Sequence, residues 1–161
     1  MDMKDNVLPE FSLSNRSRFR LTGVHPDLVR VIERAIELTK VDFTVVEGLR
    51  TEDRQRQLVA AGASKTMKSR HLIGQAVDIA PVVAGQVRWD WPLVYRIAQA
   101  VREAAIELKV TVTWGGVWDR PINDLSDDLA DEVRQYCVRH SGSDFLDGPH
   151  FQIEPAKPKS K

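Results

Sequence analysis

Apolar residues change their spacing several times along this chain, and each change marks an element. From Pro26, a residue suited to a first helical turn, Leu28, Ile32, Ala35 and Ile36 recur at helical intervals and predict a helix with one face on a core. Residues 43–46 are rich in β-branched side chains and predict a strand. Thr51, followed by Glu52 and Asp53, caps a helix expected to reach about residue 61, where Gly62 suits the stop. A polar loop over residues 63–73 leads to a short strand at 76–80, expected to end at Pro81. Asp90-Trp91-Pro92 opens the strongest helix, with Leu93, Ile97, Val101, Ala104 and Leu108 on one stripe. Residues 110–114 predict another strand. A helix carrying Leu129, Val133, Tyr136 and Cys137 follows, and 150–153 form the last strand. Cys137 falls beside Val133 on its stripe and reads as core.

Helices and strands are mixed without a regular βαβ beat. The expected architecture is α+β: a single domain with a small, mostly antiparallel sheet and helices packed on it. Residues 1–23 contain no strong period and read as a polar lead-in, with a short basic cluster at 15–20. Residues 24–154 are the domain. Residues 155–161, with Lys157, Lys159 and Lys161, read as a basic flexible tail.

Composition narrows the classes. A chain of 161 residues with 42% hydrophobic content can bury one core. Its formal net charge is zero, so nothing argues for a wholesale nucleic-acid or membrane binder. No apolar stretch approaches the length of a membrane span, and the N-terminus lacks the apolar run of a secretory signal. The single cysteine, Cys137, cannot form an internal disulfide, which suits folding in a reducing cytoplasm. A monomer is expected.

Two segments carry the candidate chemistry. His71 and Asp78 lie in 69–78, and Asp147 and His150 lie in 147–152; two of the chain's four histidines fall inside them. Two imidazoles, a carboxylate and an open position suit catalytic zinc, and a spare carboxylate suits the water as a base. Alternation sends Val77 and Ile79 to one face and Asp78 to the other. The same logic buries Phe151 and Ile153 and puts His150 and Gln152 on the opposite face. If these two strands are neighbours, Asp78 and His150 meet over one sheet surface. Gly74 would turn the chain between His71 and Asp78, and a Gly148-Pro149 turn would fold Asp147 back over the metal. Taken singly, each segment also has an ordinary reading: a satisfied histidine beside a strand, an aspartate as a cap or turn residue. His25 and His140 flank helices and suit capping.

Arg50, at the end of a strand, is a candidate for binding a carboxylate or a developing oxyanion. Ser69 could meet substrate or simply form a turn. Trp118 could wall the cleft. Gln57 reads as helix surface. The acids Asp119, Asp124, Asp127, Asp128 and Asp131 do not match an EF-hand loop and read as solvated loop and helix start.

Ser69-x-His71-x-x-Gly74-x-Ala76-x-Asp78, followed by Asp147-x-x-His150, resembles the zinc D,D-peptidase-like family. That family includes vancomycin-resistance carboxypeptidases and dipeptidases and phage L-alanyl-D-glutamate endopeptidases, and the phage endolysins look most alike. Glu47-Gly-Leu-Arg50-Thr51, residues 65–71 and Trp114-Gly-Gly-x-Trp118 add to the resemblance, which spans about residues 24–154. It implies one zinc ion held by His71, Asp78 and His150, Asp147 as general base, and the alanyl-glutamyl bond of peptidoglycan as target. Together with the missing secretory signal, it leads to the expectation of synthesis in a host cytoplasm and action on the periplasmic wall after another protein breaches the membrane, without stable membrane insertion. The long segment 119–146 departs from the family's pattern and could reshape one wall of the cleft. Two alternatives stay open: a D-alanyl-D-alanine carboxypeptidase or dipeptidase on the same scaffold, and a zinc-containing wall-binding module without turnover.

Overall fold

A computed structural model describes residues 8–64, 66–140 and 145–154. The basic tail at 155–161 and Lys65 lie outside the described residues. In chain order the helices are α1 (Asn15–Arg20), α2 (Pro26–Leu38), α3 (Glu52–Ala60), α4 (Trp91–Leu108) and α5 (Leu129–Arg139). The strands are β1 (Asp42–Glu47), β2 (Ala76–Val83), β3 (Gln86–Val87), β4 (Val112–Gly115) and β5 (Asp147–Ile153). They form one five-stranded sheet in the order β1-β2-β5-β4, with β3 paired to β2. Every pairing is antiparallel. The protein is therefore α+β, as the mixed periodicities suggest.

Alternation sorts the sheet into two faces. Val77, Ile79, Phe43, Val45, Phe151, Ile153, Val112 and Trp114 are buried and join the inward stripes of α2 and α4 in one core. On α2 those are Leu28, Val31, Ile32, Ala35 and Ile36. On α4 the buried line is Val94, Ile97, Ala98, Val101, Ala104 and Ala105, with small alanines admitting α2 closely. Full burial of each larger aliphatic side chain contributes about 1.5–3 kcal/mol.

Four local features differ from the pattern-based expectations. Residues 15–20 are a capped helix rather than a lead-in: Ser14 accepts from the Ser17 amide, and α1 lies along the outer edge of β1. There the Val45 N–H donates to Ser17 Oγ at 2.9 Å and the Val45 carbonyl accepts from Arg20 Nη1 at 2.9 Å. Edge groups left open on β1 are thus satisfied by two polar side chains, a device that apolar periodicity does not register.

β2 also runs past Pro81 to Val83. β5 pairs with β2 only over Ala76–Asp78, so the missing N–H of Pro81 leaves no bond to β5 unmade. Cys137 is exposed rather than core. Leu129, Val133 and Tyr136 make the buried line of α5, and at roughly 100° per residue Cys137 falls about 40° beyond Val133, off that line. Finally, Gly148 and Pro149 belong to β5 itself and form no turn.

Candidate metal centre

The polar sheet face gathers the site from three places. Asp78 is the register partner of His150 across the β2–β5 ladder, so the expected adjacency of the two strands holds. His150 Nδ1 lies 3.3 Å from Asp78 Oδ1. His71 arrives on a single 3-10 turn, Arg70–Ile73, whose N-cap is Ser69; the His71 amide donates to Ser69 Oγ at 3.3 Å. The turn ends at Gly74, whose φ of 71° lies in the left-handed region. A Cβ there would also overlap the Gly23 carbonyl oxygen. This geometry sets His71 Nε2 3.3 Å from Asp78 Oδ2. The two imidazole rings meet edge to face, with centroids 5.1 Å apart.

The hydrogen bonds behind the rings decide which nitrogens face inward. His71 Nδ1 stands 2.9 Å from the Gly48 carbonyl, which only accepts, so Nδ1 carries the proton. His150 Nε2 stands 2.8 Å from Gln152 Oε1, which likewise only accepts. In the neutral rings, His71 Nε2 and His150 Nδ1 are therefore lone-pair acceptors, and both face a carboxylate, itself an acceptor. Acceptors aimed at one another need a cation or extra protons between them. One ligand atom from each of His71, Asp78 and His150 lies within 4.8 Å of the others, so the group fits a small metal ion. The outward hydrogen bonds are the kind that orient metal-ligating histidines.

Charge follows the same logic. When protons rather than a cation occupy the inward nitrogens, burial opposes the negative form of Asp78, but hydrogen bonds from His150 and His71 outweigh it and hold the carboxyl well below the usual range. Burial opposes the charged form of His150, yet the Asp78 hydrogen bond and charge push its imidazole up. Asp147 is raised, first by burial and then by the charge of Asp78, against the lowering effects of His150, His71 and Arg50.

Asp147 is delivered by strand rather than turn. Trp114 faces Phe151, but Gly115 faces Asp147 in place of His150, so the β4–β5 register jumps between them. A Cβ on Gly115 would overlap the Asp147 carbonyl oxygen, which makes glycine necessary for that approach. Trp114 Nε1 donates to the Gly148 carbonyl at 2.8 Å and ties down the displaced strand. Asp147 thereby lines the same cavity, of about 560 Å³, as His71, Asp78 and His150.

Arg50, Ser69 and Trp118 line this cavity too. The Arg50 side chain is only 8% exposed and grips Glu47 with both edges of its fork, Nε to Oε1 at 2.8 Å and Nη2 to Oε2 at 2.7 Å. Its Nη2 is also 3.6 Å from Asp78 Oδ2. The Trp118 ring lies 5.3 Å from the His150 ring, and its Nε1 donates to the Phe145 carbonyl at 2.6 Å.

Two polar residues were not expected here. Gln55 is completely buried; its Oε1 accepts from Arg50 Nη1 at 2.8 Å, while its Nε2 donates to Ser64 Oγ at 2.8 Å and to the Thr66 carbonyl at 2.5 Å. Gln152 orients His150. A shared face with His150 was the available signal for Gln152; a glutamine in a polar helix such as α3 carries none.

The histidines outside the centre cap helices. His25 Nδ1 accepts from the Asp27 amide, and His140 lies at the C-cap of α5 with Nε2 3.1 Å from Asp119. Asp119 also binds Arg139, and Asp128 caps α5, which accounts for two acids of the 119–131 run. Gln57 is exposed.

Comparison with known proteins gives a consistent result. The family model described as phage L-alanyl-D-glutamate peptidase matches residues 9–153. The L-alanyl-D-glutamate peptidase of Escherichia phage T5 is 33% identical over 129 residues, covering 78% of this chain and 90% of that protein. That of Listeria phage A118 is 28% identical over 117 residues, 73% of this chain but 32% of that longer protein. The crystal structure of the Serratia marcescens L-Ala D-Glu endopeptidase ChiX is similar with a TM-score of 0.69 and 43% identity, covering 90% of this chain and 92% of that one.

Proposed function

The chain belongs to the phage L-alanyl-D-glutamate peptidase family, and from that premise we propose that it is a zinc-dependent endopeptidase of the endolysin type. Its target is the L-alanyl–D-glutamyl bond in the stem peptides of peptidoglycan. The observation that carries this reading is the convergence of the His71, Asp78 and His150 ligand atoms in a cavity that also holds the Asp147 carboxylate. Two imidazole nitrogens and one carboxylate oxygen are a donor set suited to zinc and leave a position open.

Zinc, when bound, supplies Lewis acidity at the scissile carbonyl and makes a water acidic enough to be used near neutral pH. The chain's own residues do the rest. Asp147, made more basic by burial and by Asp78, takes the proton of the attacking water and returns it to the departing D-glutamyl amine. Arg50 stands behind Asp78 with its fork already engaged by Glu47. That favours a role as fixed positive charge, holding Asp78 and stabilising negative charge that develops nearby, over a bidentate grip on substrate. Trp118 offers an apolar wall beside His150. Ser69 acts first as the cap that presents His71, and it lines the cavity as well.

No helix among the described residues is long and apolar enough to cross a membrane. The endolysin reading, rather than this absence, carries the expectation that the enzyme meets the wall after another component breaches the membrane.

A synthetic stem peptide tests the reading. Chelator-treated protein should be inactive, and about one equivalent of zinc should restore cleavage between L-alanine and D-glutamate. Tight zinc binding without cleavage of any stem peptide would leave a wall-binding module instead.

A further inference from the structure

Among the described residues, Arg50, Lys68 and Arg70 line the cavity, and they differ in what they hold. Arg50 is engaged by Glu47 through two hydrogen bonds and by Gln55 through a third. Arg70 binds Glu154 at 2.8 Å and Gln75 at 2.9 Å. Lys68 lines the same cavity, and its ammonium has no hydrogen bond or ion pair among the described residues.

The backbone beneath Lys68 is nonetheless held. Its amide donates to Thr66 Oγ1 at 2.9 Å, and the Thr66 carbonyl accepts from the wholly buried Gln55. The next residue, Ser69, caps the turn that carries His71. An uncommitted cation is thus anchored on the wall of the cavity that contains the candidate metal ligands.

We propose that Lys68 is the specificity-determining residue that receives the free α-carboxylate of the D-glutamate beside the scissile bond. The identity of that ligand rests on the peptidase reading. A stem peptide continues from D-glutamate through its γ-carboxyl, so the α-carboxylate next to the scissile nitrogen stays charged. Arg50 cannot offer its fork without releasing Glu47. A lysine ammonium takes a carboxylate as a compact charge with freely turning donors. Because Lys68 sits at an exposed rim, the selection is one of recognition and leaves the metal site itself unaltered.

The test compares two peptides that differ only at that carboxylate: L-Ala-γ-D-Glu-L-Lys and its α-carboxamide. The metal-loaded wild type should prefer the carboxylate peptide in kcat/KM by about tenfold or more, as expected for a charge-assisted hydrogen bond. Lys68→Met should bring that ratio close to unity, and Lys68→Arg should keep most of it. A ratio that survives Lys68→Met, or a wild type without preference, overturns the assignment. If wild type cuts neither peptide, the peptidase reading fails, and calorimetric titration of the same pair decides on Lys68. A preference in Kd lost in Lys68→Met upholds the carboxylate site, and equal Kd values overturn it.

Discussion

Asp78 and His150 face each other across β2 and β5, with Oδ1 3.3 Å from Nδ1, while the second oxygen of Asp78 lies 3.3 Å from His71 Nε2. One carboxylate therefore spans both imidazoles. Hydrogen bonds to Gly48 and Gln152 on the far side of each ring fix which nitrogen faces it.

Removing the spanning carboxylate should dismantle the centre. Asp78→Ala is expected to weaken zinc binding by more than about a hundredfold, beyond what loss of an outer partner costs. Competition against a chromogenic chelator measures this. Zinc affinity close to wild type would show that Asp78 is not a ligand.

Acidity should act on the metal-free and metal-loaded forms in opposite senses. His150 is raised in the folded protein, so its pairing with Asp78 stabilises the metal-free form fully below the unfolded histidine value, about 6.5. That contribution is lost as pH rises through the raised folded value. Asp78 is lowered, so its contribution is present above the ordinary carboxylate range and is lost only in stronger acid. The same proton on His150 competes with zinc. Thermal melting from pH 5 to 9 should show the metal-free Tm falling as pH rises past the histidine range, while the stabilisation added by zinc grows. Parallel pH profiles would contradict the assignment of His150 as a ligand.

Gln152 should tune the metal without carrying it. Gln152→Ala removes the acceptor that fixes the His150 tautomer, and zinc affinity should fall about 10- to 100-fold with the fold intact. Circular dichroism alongside the zinc titration separates this from unfolding.

How far the chain could be read in advance depended on the kind of signal. The pairing of Asp78 with His150 was legible because strand alternation constrains every second residue, and burying Val77, Ile79, Phe151 and Ile153 left Asp78 and His150 on one face. The path to Asp147 was less so. Gly148-Pro149 resembles a turn, yet a register jump opposite Gly115 keeps both in β5, and only the paired strand reveals it. α1 was hidden because its docking to β1 relies on Ser17 and Arg20 bonding to backbone, and Gln55 because a buried glutamine looks like a surface one until its three partners are in place.

Gln55 should prove structural for the cavity wall. Gln55→Leu strands Arg50 Nη1 and leaves the Ser64 hydroxyl and the Thr66 carbonyl only their long mutual contact of 3.5 Å, and should destabilise the protein by about 2 kcal/mol. Urea denaturation checks the figure. A shift below about 0.5 kcal/mol would mean that water replaces the amide freely.

The most direct test of the account is mass spectrometry of peptidoglycan digested by wild type, by Asp147→Asn and by chelated protein. Wild type should generate new D-glutamate amino termini, absent from both controls, while Asp147→Asn still binds zinc as tightly as wild type. Release of D-alanine alone would move the activity to a carboxypeptidase. Unaltered cleavage by Asp147→Asn would contradict the role of Asp147 as the base.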